Sequence, residues 1–487
     1  MSSPLKILFL SSEVAPFTKT GGLADVAGSL PKALAALGHD VRVVQPAYRA
    51  IEERGNQPGT DVSPSDIRLR VPVAGDHVDA GVFQSFLPGS HVPISFVAER
   101  NIFARPEVYG YDDDPYRFAF FCRAALDFEI AAREWRPDIV HAHDWHAAPA
   151  VWWLATAANQ DERYRAIPTV YTIHNLMHQG HAPWELGGYL GIDATVGLQE
   201  ESYGAVNLMA RGIFHATMIT TVSPAYAREV MTKEGGAGMD GLLRHRHFDL
   251  HGVLNGLDYD VWNPATDRHL AARFDVNSLD ARAANKSALQ ARLGLPQRDD
   301  VPLVSMVTRL DWQKGIDVVG EVVHRLMNNQ AGEAQFVVLG SGSAHYEDGF
   351  RHIASYHREK MAAVLAYNGD LAPLVYGGSD VFLMPSLFEP CGLGQMIAMR
   401  YGCVPVVRAT GGLADTVRAG VTGFTFFECT SDDCWDALSR ALHVWHSNHG
   451  SWRALQRHAM AADFSWVTSA QAYQQIYRWA ISRLRGW

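Results

Sequence analysis

Lys19-Thr20-Gly21-Gly22-Leu23-Ala24-Asp25 is the stretch on which the reading of the fold turns. An almost wholly apolar run, Leu5 to Leu10, precedes it, and from Leu23 to Leu37 the apolar residues recur at helical spacing until Gly38. That order is strand, glycine loop, helix. Two adjacent glycines remove both Cβ atoms where backbone must come close to something, and the helix that starts there points unpaired N–H groups at it. An oxygen-bearing ligand, especially an anionic one, suits such a loop; the competing reading is a tight turn and nothing more. Two details favour the ligand: Lys19 projects a cation into the same crevice, and Gly411 to Asp415 repeat the five residues Gly21 to Asp25. The repeat predicts two similar halves facing one ligand cleft.

Outward from the loop, Val41 to Pro46 reads as a second strand, so the chain opens with a β-α-β unit and a parallel sheet. Ile67 to Val97 alternates and carries Pro and Gly, which predicts inserted strands or hairpins. A helix is expected from Arg117 to Trp135, then D-I-V-H-A-H-D-W-H, where His141, His143, Asp144 and His146 spill from a strand end. These histidines read as alternating across the strand end instead of sharing a face, which favours packing or hydrogen bonding to a polar ligand over a metal site. A second strand, Thr169 to Ile173, delivers His174 and Asn175 in the same way. Helical spacing runs from Tyr203 to His215, a strand from Met218 to Ser223, and a helix from Pro224 with Ser223 as its cap.

Near Gly252 to Asp258 the chain crosses to a second domain. Asp267 to Asp300 has helical spacing, and from Val301 the β-α rhythm restarts with a strand, the loop R-L-D-W-Q-K-G, a helix from Ile316 to Met327 and a strand ending in L-G-S-G. Arg309 and Lys314 bracket the position where a doubly wound fold binds a nucleotide, so two cations can converge on one anion. Tyr367 is either a base-stacking aromatic at a strand end or a core residue. Val381 to Ser386 is a buried strand that places Glu389 and Cys391 in its exit loop, and Glu389 is a candidate acceptor for sugar hydroxyls. Asp432 to Trp487 is helical and Trp-rich, read mainly as packing.

The chain has 487 residues, 47% hydrophobic and 19% charged, which is globular composition on a scale of two or three domains. Its net charge of −10 argues against nucleic-acid or anionic-membrane partners. Five scattered cysteines without zinc-site spacing read as reduced thiols in a cytoplasmic protein. The N-terminal residues have no export leader and no run of about 18 apolar residues occurs, so neither export nor membrane spanning is expected. No signal specifies an oligomeric state.

Taken in order, KTGGLADV, HAHDWH, TIHN, VLNGLD, TRLDWQKG, SLFEPCGL and TGGLADTV resemble the bacterial glycogen synthase and plant starch synthase family, from about Lys6 to the C-terminal helices. The resemblance implies an α/β GT-B fold: two Rossmann-like doubly wound domains facing a deep cleft, with a C-terminal helix crossing back to the first. The expected division is 1–254 for the acceptor-side domain, 255–462 for the nucleotide-sugar domain and 463–487 for the returning helix. It also implies a retaining transfer of glucose from ADP-glucose to the non-reducing 4-hydroxyl of an α-1,4-glucan, with no metal or other cofactor.

By motif match, Lys19 and the Gly21-Gly22 loop contact the donor's phosphate and glucose, Lys19 completing the site when the cleft shuts. Asp144, His174 and Asn175 line the sugar and acceptor side with Tyr111, and Asn255 lies in the cleft. Arg309 and Lys314 hold the diphosphate, and Tyr367 stacks near adenine. Glu389, Cys391 and Gly392 sit against the glucose, and the Thr410, Gly411, Gly412 and Leu413 backbone lies near the phosphates. Within that set, Glu389, His174, Asp144, Lys314 and Arg309 are the candidate catalytic residues.

Three positions depart from the family pattern. Leu387 stands where Arg is usual, Gly394 where Thr is usual, and Tyr111 to Asp114 read Y-D-D-D instead of Y-x-D-N. Rival readings are a nicotinamide-dependent oxidoreductase, weakened by the absence of an early G-x-G-x-x-G, a noncatalytic glucan-binding protein, and a glycosyltransferase with another nucleotide sugar or a small-molecule acceptor.

Overall fold

The computed structural model describes residues 3–54, 61–192, 197–201 and 204–485. The chain divides into two compact units, Met1–Gly256 with Trp466–Trp487, and Leu257–Ser465. Strands of the first unit are β1 (Lys6–Leu10), β2 (Asp40–Pro46), β3 (Ser63–Pro64), β4 (Leu69–Val73), β5 (Asp76–Phe86), β6 (Pro93–Ala98), β7 (Ile139–His143), β8 (Thr169–Ile173), β9 (His181–Pro183), β10 (Ala205–Asn207), β11 (Met218–Thr221) and β12 (Leu250–Gly252). The main sheet runs β12-β11-β8-β7-β1-β2-β6-β5-β3, with β4 on β5. From β12 to β6 all pairs are parallel, while β5 pairs antiparallel with β3, β4 and β6; β4 and β5 form a hairpin within the expected range, Ile67 to Val97, and β3 lies just before it.

The second unit holds one parallel sheet of β13 (Leu303–Val307), β14 (Gln335–Leu339), β15 (Met361–Val364), β16 (Val381–Met384), β17 (Val404–Arg408) and β18 (Phe424–Phe426), in the order β15-β14-β13-β16-β17-β18. In both units the first strand is flanked by the second on one side and by a later strand on the other. That reversal opens a crevice at the strand C-termini, between β1 and β7 and between β13 and β16.

The two GGLAD stretches are not equivalent within this plan. Gly21 caps a 15-residue helix, Gly22–Ala36, behind the first strand of its sheet. Gly411–Thr416 is a six-residue helix behind β17, the fifth strand of the other sheet. The shared residues specify a glycine turn into helix in both places; strand order decides where each turn stands.

The domain boundaries expected at 254/255 and 462/463 move to 256/257 and 465/466. Val253 N–H donates to the Thr221 carbonyl at 2.8 Å, Ser469 Oγ donates to the Leu254 carbonyl, and Trp466 packs where a Cβ on Gly256 would stand. Asn255 therefore belongs to the first unit. Asp463 and Phe464 belong to the second, where Leu257 N–H reaches the Phe464 carbonyl at 2.6 Å. The returning helix, Trp466–Arg485, buries Ala470, Tyr473, Ile476, Tyr477 and Ala480 in one core with Ile7 and Phe9 of β1 and Val26, Leu30 and Leu34 of the first helix.

Some helical expectations shorten. Between Asp267 and Asp300 the α-helix spans only Arg282–Leu293, because the Asp267 and Asp275 carboxylates accept nearby backbone N–H groups (2.8 Å from His269, 2.9 Å from Asn277) and hold turns there. The Arg117–Trp135 expectation resolves into an α-helix, Asp114–Leu126, and a π turn, Asp127–Ala132. Tyr203 lies outside the described residues, and the helix expected from it spans Leu208–His215, capped by Asn207. Trp445, Trp452 and Trp466 are buried as packing residues, Trp479 is exposed, and Trp487 lies outside the described residues.

Candidate active site

In the first unit, the loops after β1 and β7 meet at the switch point. Asp144 follows β7 with a left-handed φ of 54°, a strained conformation for a residue with a side chain. Its Oδ1 accepts the His174 N–H at 2.7 Å and the Asn175 N–H at 3.5 Å, which joins it to the end of β8. Burial pushes its carboxyl up to about 7; these two N–H groups oppose the shift and the nearby Glu13 charge adds to it. His143 Nδ1 lies 2.9 Å from His174 Nε2, and burial lowers His174 to about 3 and holds His143 well below the usual imidazole range.

The expectation that the histidines do not share a face is corrected. His141 and His143, two apart on β7, lie on one side of the sheet with ring centroids 4.1 Å apart, as the two-residue strand period requires. His141 is tied to Tyr477 Oη at 2.8 Å and Thr172 Oγ1 at 2.6 Å. Asn255 is buried in the first unit, and its Oδ1 has no hydrogen-bond partner among the described residues.

The glycine loop holds an anion supplied by the chain itself. Glu13 Oε2 accepts the N–H of Thr20 and, at 3.0 Å, that of Gly21, while Tyr109 Oη donates to Glu13 Oε1 at 2.6 Å. The N–H groups assigned from sequence to a ligand are thus engaged by a buried carboxylate. Lys19 is half-exposed and its Nζ lies 2.6 Å from Asp25 Oδ1. Gly21 has open space where a Cβ would point, so nothing in the protein itself requires glycine there.

Tyr111 is packed instead of presented. Its ring lies 4.9 Å from the guanidinium carbons of both Arg105 and Arg117, and its Oη accepts the Glu107 N–H at 3.0 Å. Asp114, the departure from the Y-x-D-N pattern, is buried, ion-paired with Arg117, and accepts the Gly110 N–H at 2.8 Å. Its carboxylate braces the loop.

In the second unit, Lys314 leaves β13 and Glu389 leaves β16, and Lys314 Nζ lies 2.6 Å from Glu389 Oε2 with both side chains largely buried. Ser386 Oγ donates to the same oxygen at 2.9 Å. The surrounding loops approach so closely that glycine is required. A Cβ on Gly412 would lie 2.1 Å from the Cys391 carbonyl oxygen, one on Gly411 would lie 2.0 Å from that of Glu389, and one on Gly315 would lie 2.2 Å from that of Pro385. Gly411 and Gly392 also have φ of 44° and 74°, in the region that favours glycine.

Two of the backbone donors assigned to phosphates bond internally: Gly412 N–H to the Glu389 carbonyl and Leu413 N–H to the Thr410 carbonyl, each at 3.0 Å. Cys391 is buried beside Gln395, whose Nε2 donates to its carbonyl at 3.1 Å. Arg309 is exposed, with Nη2 3.5 Å from Asp311 Oδ2, and Tyr367 is 82% exposed, which settles it as a surface and not a core aromatic. At the two remaining departures, the Leu387 carbonyl accepts from Arg408, and a Cβ on Gly394 would lie 3.1 Å from Phe382.

Glu13, Tyr109 and Ser386 were not singled out from sequence. Ser386 was within reach, since it directly precedes the exit loop of a recognised strand. Tyr109 is 96 residues from its partner Glu13, and no local pattern connects them.

The family described as starch synthase catalytic domain matches residues 6–245, and that described as glycosyl transferases group 1 matches 290–451. A glycogen synthase of Moorella thermoacetica is 45% identical over 100% of this chain and 99% of its own, and one of Thermotoga maritima is 40% identical over 99% and 100%. The catalytic domain of starch synthase IV from Arabidopsis thaliana, solved with ADP and acarbose, superposes with a TM-score of 0.91 at 34% identity, covering 99% of this chain and 100% of that one. A sucrose-phosphate synthase from Thermosynechococcus elongatus, covering 98% and 99%, shares the fold at a TM-score of 0.59 and 18% identity.

Proposed function

Because the chain belongs to the glycogen and starch synthase family of glycosyltransferases, we propose that it transfers glucose from ADP-glucose to the non-reducing 4-hydroxyl of an α-1,4-glucan, with retention at the anomeric carbon. The observation that carries the reading is the Lys314–Glu389 pair at the switch point of the second sheet, braced by Ser386 and by glycines whose backbone lies against its loop. A largely buried ammonium held on a carboxylate is a preorganised cation, the group needed where a departing diphosphate gains charge.

In the reaction, the bond from C1 to the β-phosphate oxygen breaks and its electrons leave with ADP. The acceptor 4-hydroxyl oxygen forms the new bond to C1 from the same face, and its proton passes to the departing phosphate. Lys314 and the exposed Arg309 neutralise the diphosphate, so the chain's own cations do what a metal does elsewhere. Glu389 accepts glucose hydroxyls through the oxygen not shared with Lys314 and Ser386, and Tyr367 stacks on adenine. In the first unit, Asp144 and His174 are buried hydrogen-bonding groups for sugar hydroxyls, and Lys19 reaches the donor phosphate by exchanging Asp25 for it.

The uncharged imidazoles suit a sugar, since burial keeps His174 and His143 neutral. Five cysteines that form no disulfide fit a cytoplasmic enzyme. Purified protein given ADP-glucose and glycogen is expected to release ADP and lengthen α-1,4 chains that an α-specific exoglucosidase trims back; UDP-glucose is expected to support less turnover. Failure to extend glucan with either donor, with Lys19→Ala indistinguishable from the parent, defeats the proposal.

A further inference from the structure

On the second unit, a cavity of about 260 Å³ lies beside the chain entering β16, where Asp380 precedes Val381. Lys314 and Glu389 stand beyond the other end of that strand, so the cavity is separate from the candidate active site. Its walls carry three cations, Arg282, Lys286 and Arg453, against two carboxylates, Asp299 and Asp380, with Trp445 and Trp452 beside them. Lys286 is already satisfied, with Nζ 2.8 Å from Asp380 Oδ2 and 2.6 Å from the Val301 carbonyl.

The other donors are not balanced in this way. Arg282 is buried, yet its guanidinium donates only to the carbonyls of Tyr401, Tyr376 and Ser379, and no carboxylate lies within ion-pair distance among the described residues. Trp452 is 4% exposed and its Nε1–H has no acceptor among the described residues. Arg453 leans out to Asp280, itself almost wholly exposed, with Nη2 2.6 Å from Oδ1. On one cavity wall, a buried guanidinium bonded only to neutral carbonyls and a buried N–H donor without an acceptor among the described residues call for an acceptor-rich, anionic occupant.

We propose that this cavity binds a phosphoryl group carried on a hexose: Arg282, Arg453 and the Trp452 indole N–H take the phosphate oxygens, and the cavity-lining parts of Trp445 and Trp452 pack against the sugar ring. Its volume lies just below the usual span of small-molecule sites, which suits a sugar monophosphate better than a nucleotide sugar. Amphipathic tryptophan surface beside a charge cluster suits a ligand that is half apolar ring face and half anion.

The test follows the indole N–H resonances of the full-length protein in ¹⁵N–¹H spectra, with the Trp452 peak assigned by its loss in Trp452→Phe. The exposed Trp312, beside Lys314, reports separately on ligand at the donor loop. Glucose 1-phosphate and glucose 6-phosphate are titrated against inorganic phosphate and glucose. A hexose phosphate is expected to shift the Trp452 peak saturably, at least about tenfold more tightly than inorganic phosphate, with glucose inert. Arg453→Gln is expected to weaken binding about tenfold or more, the loss of one charge-assisted hydrogen bond. The fold can tolerate that change, because the ion-pair partner it releases, Asp280, is exposed, and the buried Gln456, 3.3 Å from Arg453 Nη1, keeps its own bond to the Gly402 carbonyl. An unmoved Trp452 peak overturns the site, glucose acting as well as its phosphates overturns the anionic reading, and equal binding of inorganic phosphate overturns the hexose.

Discussion

Replacing Lys314 by Met separates what the buried pair does for stability from what it does for catalysis. In the folded second unit, Glu389 Oε2 receives the Lys314 ammonium at 2.6 Å and the Ser386 hydroxyl at 2.9 Å. Side-chain exposures of 14% and 8% leave little water to replace the ammonium. Lys314→Met therefore leaves a buried carboxylate with one neutral donor, and breaking a buried pair from one side costs about 3–5 kcal/mol. The residual exposure places the expected loss near the lower end, about 3 kcal/mol. Turnover is expected to fall by about 10²–10³, as for other preorganised donors to a developing anion. Adding Glu389→Gln removes the orphaned charge, so Lys314→Met/Glu389→Gln is expected to recover most of the stability and none of the turnover. Urea unfolding and ADP release, measured on the same preparations, check both. A parental urea midpoint for Lys314→Met, or recovery of activity with stability in the double variant, would refute the reasoning.

Further outcomes follow from the same geometry. The Asp144 carboxyl, pushed up to about 7 against about 3.9 unfolded, holds its proton more tightly when folded, so its contribution to stability falls as pH rises from about 4 to 7. Asp144→Asn keeps an acceptor for the His174 N–H and tolerates positive φ; its melting temperature is expected to gain on the parent's across that window, by up to about 4 kcal/mol of stability at neutral pH, and a constant difference would disprove the assignment. Gly21→Ala meets open space and is expected to leave stability within about 0.5 kcal/mol, whereas Gly411→Ala, 2.0 Å from a carbonyl oxygen at positive φ, is expected to lose about 2 kcal/mol or more in thermal unfolding. Tyr367→Ala is expected to leave the melting temperature unchanged and raise the donor KM by roughly 10-fold, with Tyr367→Phe near parental; a loss of fold instead would show that the exposed ring has a structural role.

Sequence by itself determined the doubly wound plan, since apolar runs, glycine stops and helical spacing are local signals and both sheets carry them in chain order. The strand Thr169 to Ile173 and the helix Ile316 to Met327 stand where those patterns place them. The residues after strand ends were legible for the same reason: His174, Asp144, Lys314 and Glu389 follow strands, and in such sheets strand C-termini flank the binding crevice.

Tertiary structure alone decided how those residues are used. It put Glu13 on the glycine loop's N–H groups, turned Tyr111 and Asp114 inward as a brace, and set the second GGLAD behind the fifth strand of its sheet. It also assigned Asn255 to the first unit and left Tyr367 exposed. Some of these depend on strand order or on a partner tens of residues away; others, such as Glu13 with Gly21 and Asp114 with Arg117, join near neighbours whose pairing follows no periodic pattern. A hydrogen bond such as Tyr109 to Glu13 leaves no periodicity in the chain, so only the folded arrangement reveals it.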